Sequence, residues 1–488
     1  MKNINYKWIA LSCTTLGAFF SVVSGNTLVV VLPVIMKDLN ANFQEIIWTM
    51  MGYMFILSIL VPAIGRVADM IGRKKLFVAG FIVFTIGSLL CAFSRSGIDL
   101  LSFRMIQAVG GALLAANSVP IVTDAFPRKE LGMALGINGM VISIGGVLGP
   151  ILGGFLVNLG WRSIFYINVP IGIFGTIWAV MQLEELDILP EKQKFDWGGS
   201  ILFTMGMLSL LLFLTFGGLY GWLNPGLFII LAAALILLPL FVYVEFHTEE
   251  PLLDMRLFES RALAFAYGSN LLNGIARGAV TFLLIFYFQG IKGIDPIQAA
   301  VMLIPFVLPQ MIAAPICGWL SDRIGSRMLS SAGLLISAVG LVGLIWIRPE
   351  TSYLELTVSM IIIGIGSGMF FSPNNKAIME TVPVEKRGIA GGIRTMMNNV
   401  GMIISMALSM AVITSCLTTE AFSGLFTGTQ VGSKGIAVRE FISGLRILFS
   451  ISLVISIIAA IISYLRGGLP DWLHDARHQK HEKGSLES

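Results

Sequence analysis

An aspartate set among glycines and basic residues occurs twice in this chain. Residues 65–75 read GRVADMIGRKK and residues 318–328 read GWLSDRIGSRM. In the first copy Asp69 is followed by Arg73, Lys74 and Lys75. Gly65 and Gly72 bracket it, and Gly72 permits a tight turn. The second copy keeps Gly318, Asp322, Gly325 and Arg327, with Ser326 where the first has Arg73. A carboxylate in this setting can pair with an arginine or rest at a helix N-terminus. The plain alternative is a pair of loops whose basic residues only fix which side of a membrane they face.

Three arginines, Arg104, Arg277 and Arg394, lie in apolar runs. A charge in mid-membrane costs roughly 2.5–3.5 kcal/mol on insertion scales, so such residues face a cavity or a partner. Simple partners are at hand: Asp99 for Arg104, Asn270 or Asn273 for Arg277, and the interface, reached by snorkelling, for Arg394. Enzyme chemistry has no comparable set. The cysteines, Cys13, Cys91, Cys317 and Cys416, are scattered in or beside apolar runs and fit neither a disulfide framework nor a metal site. The histidines, His247, His474, His478 and His481, fall outside the apolar runs, where they cannot activate a buried hydroxyl. The reading is a protein that is not an enzyme and has no cofactor.

The elements that must position these residues are helices in a bilayer. The chain has 488 residues, 56% hydrophobic and 12% charged, against about 25% charged in soluble domains. Apolar runs of about 20 residues recur from Trp8 to Leu465, and each can cross a bilayer. A run such as 201–216 is mostly apolar on every face, unlike the alternating strands of a barrel. About fourteen spans are expected, near 8–34, 46–67, 76–94, 100–123, 131–158, 164–182, 198–219, 226–244, 262–289, 297–317, 329–347, 357–377, 388–415 and 441–465. With both termini in the cytoplasm, about 21 Lys and Arg fall inside and about 8 outside, as the positive-inside rule requires. The net charge of +4 contains no tract suited to nucleic acid.

The chain also repeats itself. The two loop copies are offset by about 253 residues, and a second echo follows at about 256: Gly110 with Gly366, Asp124 with Glu380, Pro127 with Pro383, Gly132 with Gly388. Spans 1–6 therefore recur as spans 9–14 in the same orientation, and spans 7–8 are an insertion. The expected fold is all-α and membrane-embedded: two parallel six-helix bundles (1–185 and 256–488, the latter with a short cytoplasmic tail) joined by a two-helix linker (186–255).

At this point the sequence resembles the major facilitator superfamily, most closely its fourteen-span drug:proton antiporter branch. Gly65, Asp69, Gly72, Arg73 and Lys74 match the loop 2–3 motif. Arg104, Gln107 and Gly110 match the span 4 motif. The run GGVLGPILGG, carrying Gly145, Gly146, Gly149, Pro150, Gly153 and Gly154, matches the span 5 motif of exporters. WRSIFYINVPIG (161–172), PLLDMRLF (251–258) and Pro305 are typical of the branch. The resemblance implies a secondary active exporter of lipophilic drugs, working by alternating access and driven by protons. It also implies that the loop motif latches the cytoplasmic gate and that Pro150 acts at the gate between the halves. Close packing of span 5 through small residues is the bland reading of its glycines, and it holds alongside the functional one.

The sequence departs from the branch at one telling place. Where relatives carry an Asp in span 1, this chain has Asn26, ahead of Leu32-Pro33. By the repeat, Arg277 answers Ser24 of span 1 and Arg394 answers Asn138 of span 5. Asn26, Arg277 and Arg394 are thus the candidate substrate contacts, and they open a second reading, export of an anionic metabolite or lipid-like amphiphile bound by Arg277. A non-transporting sensor or scaffold is a third. The expected partners are the bilayer, a small amphiphile and protons, with no nucleic acid, and the protein is expected to act as a monomer in the inner cell membrane.

Overall fold

The protein is described by a computed structural model over residues 4–41, 43–185, 196–220, 222–248, 251–253, 255–383, 386–416 and 436–467. Fourteen helices among the described residues are long and apolar enough to cross a membrane. Spans 1–6 are Tyr6–Leu28, Trp48–Ile71, Arg73–Ala92, Gly97–Ala125, Leu131–Leu159 and Ser163–Gln182. Spans 7 and 8 are Trp197–Gly217 and Pro225–His247. Spans 9–14 are Arg261–Ile291, Ile297–Ile324, Ser326–Ile345, Tyr353–Thr381, Arg387–Ile413 and Val438–Leu465. These bounds follow the hydropathy of the sequence within a few residues. The expected outer segment 416–440 lies, over 417–435, outside the described residues, as does the tail after Gly467.

The helix starts carry their own signals. Ser96 caps span 4 by accepting from Asp99 N at 3.1 Å, and Ser352 caps span 12 by accepting from Glu355 N at 3.3 Å. A side-chain acceptor here satisfies an N–H with no partner in its own helix. These two caps, again about 256 residues apart, form a further echo of the repeat. Asn224 caps span 8 in the same way, with Pro225 at the first helical position. Gly72 and Gly325 take φ of 111° and 88° between spans 2 and 3 and between spans 10 and 11. Glycine occupies this left-handed region at no steric cost.

Spans 1–6 pack on one another, as do spans 9–14. The halves meet along two seams, span 2 against span 13 and span 5 against spans 10 and 12. The inserted pair packs asymmetrically: span 7 lies on spans 2 and 13 as well as on span 8. Span 8 shows its apolar side outward, with Ile229 75%, Leu235 65% and Ile236 64% exposed. In a chain of this composition such a face is covered by lipid. The architecture is that of a multi-pass membrane protein with two six-helix bundles and two additional helices.

Candidate functional site

The two aspartates of the repeated loop motif do the same thing at the same end of the molecule. Asp69 closes span 2 and is 2% exposed. Its Oδ1 accepts from Gly388 N at 3.1 Å and its Oδ2 from Ile389 N at 3.2 Å. These N–H groups open span 13 and carry the positive end of its dipole. Asp322 closes span 10 and accepts from Gly132 N at 3.0 Å and Met133 N at 3.3 Å, at the start of span 5. Each carboxylate therefore clasps a helix of the opposite half.

Glycines make the clasp close. A Cβ on Gly65 would stand 2.8 Å from the Gly388 carbonyl carbon, and one on Gly318 would stand 2.8 Å from the Gly132 carbonyl carbon. Backbone crosses backbone at both places, so no side chain larger than hydrogen fits. The two echoes thus meet in space: Gly65 answers Gly318, Gly388 answers Gly132, and each crossing joins one member of each echo.

The charges around the two aspartates differ. Arg73 donates to Asp69 Oδ1 from Nη2 at 2.8 Å and from Nε at 3.1 Å. It also pairs with Asp124 at the end of span 4, and Arg387 Nη1 donates to Asp124 Oδ1 at 3.1 Å. The first latch is a buried network of two carboxylates and two guanidiniums. At the second latch the cation is Lys376 of span 12, 2.8 Å from Asp322 Oδ1 and donating to Ser321 O at 3.0 Å. Arg327 takes no part in this pair. Its Nε donates to Tyr464 O at 2.6 Å and its guanidinium lies over the Tyr464 ring. The sequence did offer a signal for Lys376, a basic residue one turn inside an apolar helix.

The turn before Arg73 is itself fitted. Glu185, after span 6, accepts from Lys74 N at 3.1 Å and Lys75 N at 3.4 Å, and its carboxylate fills the place of a Gly72 side chain.

The glycines of span 5 divide by face. A Cβ on Gly149 would lie 2.9 Å from Asn26 Cβ and 3.0 Å from Val23 O, and one on Gly153 would lie 2.5 Å from Thr27 O. Gly145 approaches Phe19, also on span 1. Gly154 instead meets Ile297 of span 10, with a Cβ-to-Cδ1 distance of 2.9 Å, and a Cβ on Gly146 would meet nothing within 4 Å. Pro150 lies inside the helix between these two faces. In span 4, a Cβ on Gly110 would come within 2.6 Å of Phe84 Cα, so this glycine seats span 4 on span 3.

The three arginines inside spans have different surroundings. Arg104 does not reach Asp99, whose carboxylate instead accepts from Arg95 N. It is 1% exposed, donates to Gln107 Oε1 and lies over the Tyr53 ring at 4.8 Å. Gln107 passes the contact on, donating to Ser88 Oγ at 2.6 Å and Ser24 Oγ at 3.2 Å. Arg394 is 7% exposed and stays inside rather than extending to an interface. It donates to Asn375 Oδ1 at 3.5 Å and Thr395 Oγ1 at 3.0 Å. Arg277 finds neither asparagine. Asn270 donates to Arg394 O at 2.8 Å, and the guanidinium of Arg277 lies over the Phe306 ring at 5.4 Å. Asn26 turns its amide onto its own helix, donating to Val22 O at 2.9 Å.

Two parallel bundles, interlocked by a repeated carboxylate clasp, define a membrane transporter rather than an enzyme. The description Major Facilitator Superfamily matches residues 14–258 and 266–484, and the chain belongs to that family. It is 33% identical over 417 residues to the riboflavin transporter RibZ of Clostridioides difficile (strain 630), covering 84% of this chain and 89% of that protein. It is 31% identical to multidrug resistance protein 3 of Bacillus subtilis (strain 168), over 87% and 83% of the two chains. The tetracenomycin C resistance and export protein of Streptomyces glaucescens is 24% identical over 95% of this chain and 92% of its own. Among solved structures, the human organic anion transporter MFSD10 (TETRAN) superposes with a TM-score of 0.62 at 14% identity, over 92% of this chain and 99% of that one. That likeness concerns the fold.

Proposed function

We propose that the protein is a secondary active exporter of lipophilic amphiphiles that works by alternating access and couples to protons. The observation that carries this reading is the pair of latches. Both close the same end of the molecule, and each is made of contacts that exist only while the halves are together at that end. Contacts of this kind bias a two-state equilibrium, because they stabilise one state and not the other. The bias of Lys and Arg toward the loop 2–3 side makes that end cytoplasmic, with both termini inside. The described state is then closed to the cytoplasm. Spans 1–6, the linker over 186–255 and spans 9–14 act as the moving halves and their connector, within a single chain working as a monomer in the cell membrane. Relatives named for multidrug resistance and for export support the direction and the breadth of cargo.

The test is transport by the purified protein in liposomes, with lipophilic cationic dyes and organic anions offered in parallel, with and without an imposed pH gradient. Uptake into inside-out vesicles that follows the pH gradient is the expected result. No gradient-dependent movement of either class would overturn the reading. External labelling of cysteines placed after Gly467 tests the orientation, and labelling in intact cells would reverse it.

A second reading concerns the cargo. Arg277 has no hydrogen-bond or ion-pair partner among the described residues, and the ring of Phe306 beside it supplies an aromatic face. An arginine keeps its charge at any physiological pH and so can attract an anion without itself carrying the coupled proton. Asn26 offers an amide where a carboxylate would favour a cation, and Arg394 adds positive charge. On this reading the cargo is an anionic or neutral amphiphile. Loss of anion transport in Arg277→Ala, with cation transport gained in Asn26→Asp, is its signature. Robust export of monovalent cations, unaffected by Arg277→Ala, would refute it.

A further inference from the structure

The inserted helices carry a pair of acidic groups that the transport reading leaves without a role. Asp196 starts span 7 and Glu245 ends span 8. Asp196 Oδ1 accepts from Gly199 N at 2.8 Å, and Glu245 Oε2 accepts from Leu253 N at 2.8 Å. One oxygen of each carboxyl is then satisfied. The other two, Asp196 Oδ2 and Glu245 Oε1, are buried and have no donor among the described residues. Glu245 is only 3% exposed. The two orphan oxygens crowd one point, since a Cβ on Gly199 would collide with both.

Two ionised carboxylates held face to face in a buried site repel each other, and each leaves a lone pair unmatched. One proton between them removes both penalties, giving each oxygen a hydrogen-bond partner and halving the charge. We propose that Asp196 and Glu245 form a proton-binding site that holds a single shared proton and locks the foot of span 8 to the start of span 7.

The surroundings fit one residual negative charge. Arg66 of span 2, itself buried, is a basic group whose charge reaches Glu245. Span 13, which also packs on span 7, commits Arg387 to Asp124 and Arg394 to Asn375 and Thr395. Among the described residues the segment after span 8 contributes the Leu253 N–H, and His247 turns to Tyr243 O. Arg66 follows Gly65, the residue at the first crossing. The proton site therefore sits beside the gate helix that carries Asp69. When the proton leaves, one arginine faces two negative charges, and the two carboxylates push the helix ends apart.

Infrared difference spectroscopy of the purified protein in nanodiscs tests the site without using transport. The expected result is a carbonyl band of one buried protonated carboxylic acid, lost as pH rises and absent in both Glu245→Gln and Asp196→Asn. Absence of the band in the wild type, or its survival in both variants, would overturn the site. Spin labels on cysteines at the exposed positions Trp197 and His247, with the native cysteines replaced, test the lock. Their separation should increase as the band disappears, and it should stay fixed across pH in Glu245→Gln, whose amide still donates to Asp196. A separation that moves with pH equally in wild type and in both variants would overturn the lock. A protein that fails to transport but shows the band would leave this site standing and the exporter reading fallen.

Discussion

The crossing of spans 2 and 13 and the crossing of spans 10 and 5 share one backbone plan and differ in charge and cover. Both place glycine on glycine and an aspartate on the first N–H groups of the opposite helix. At the first, Asp69, Arg73, Asp124 and Arg387 form a network that itself spans the two halves, and span 7 packs against both helices. At the second, Asp322 has one cation among the described residues, Lys376, from its own half. Its flank opens into a groove of about 530 Å³ lined by Met133, Ile137, Pro315, Ile316 and Trp319. The shared plan supplies the same backbone contact at both crossings. The differences show that the surrounding charge can be drawn from different helices once the carboxylate and the glycine are in place.

The largest effects are expected where the shared plan itself is broken. Gly65→Val and Gly132→Val each put carbon atoms where the opposite backbone lies, and backbone cannot move aside cheaply. Both should abolish transport while leaving membrane insertion intact, as read by initial rates in vesicles at matched expression. If Gly132→Val transports at the wild-type rate while Gly65→Val does not, only the first crossing is a gate.

Neutralising the aspartates comes next. Removing one partner of a buried ion pair costs about 3–5 kcal/mol where no other group compensates. Asp69→Asn strips the network of a carboxylate and leaves two arginines on Asp124, neither of which can shed its charge. It should lower the transport rate by roughly tenfold or more, since about 1.4 kcal/mol is a factor of ten in an equilibrium. Asp322→Asn leaves only Lys376, and a lysine can give up its proton when its partner is lost. The loss there should be smaller, several-fold, and equal losses in the two variants would erase the distinction between the latches.

Paired substitutions sharpen the same contrast. Asp322→Asn with Lys376→Met removes both members of an isolated pair, so most of the loss from Asp322→Asn should be recovered, with a coupling of about 1–3 kcal/mol. Asp69→Asn with Arg73→Met should show no such recovery, because Arg73 also serves Asp124. A double-mutant cycle on transport rates reads both. Recovery in the first latch and none in the second would invert the assignment of charges.

The smallest effect is expected at Gly146. It lies in the same glycine-rich helix as Gly149, but an added Cβ meets nothing within 4 Å. Gly146→Ala should transport within about twofold of the wild type, an effect of roughly 0.5 kcal/mol or less on the surface scale. Gly149→Leu, forced against Val23 and Asn26 of span 1, should be inactive. Similar rates in the two would remove the packing account of the span 5 motif.

The sequence by itself determined the fourteen spans and the repeat. Those properties are written locally: an apolar run of bilayer length needs no knowledge of its neighbours, and a glycine or aspartate repeated at a constant offset marks equivalent positions in two equivalent bundles. The partners of the charges were decided only by the tertiary structure. Lys376, not Arg327, answers Asp322, because span 12 passes beside span 10 while Arg327 turns toward Tyr464. Arg104 takes Gln107 and the Tyr53 ring over nearby Asp99. Asn270 is drawn to the Arg394 backbone, and Arg277 lies over the Phe306 ring. Asp196 and Glu245 stand far apart in sequence and share a point in space because spans 7 and 8 form an antiparallel pair. Hydropathy acts along the chain, residue by residue. Ion pairs and hydrogen bonds act across it, over a few ångströms, and depend on which helices cross and which way each side chain turns.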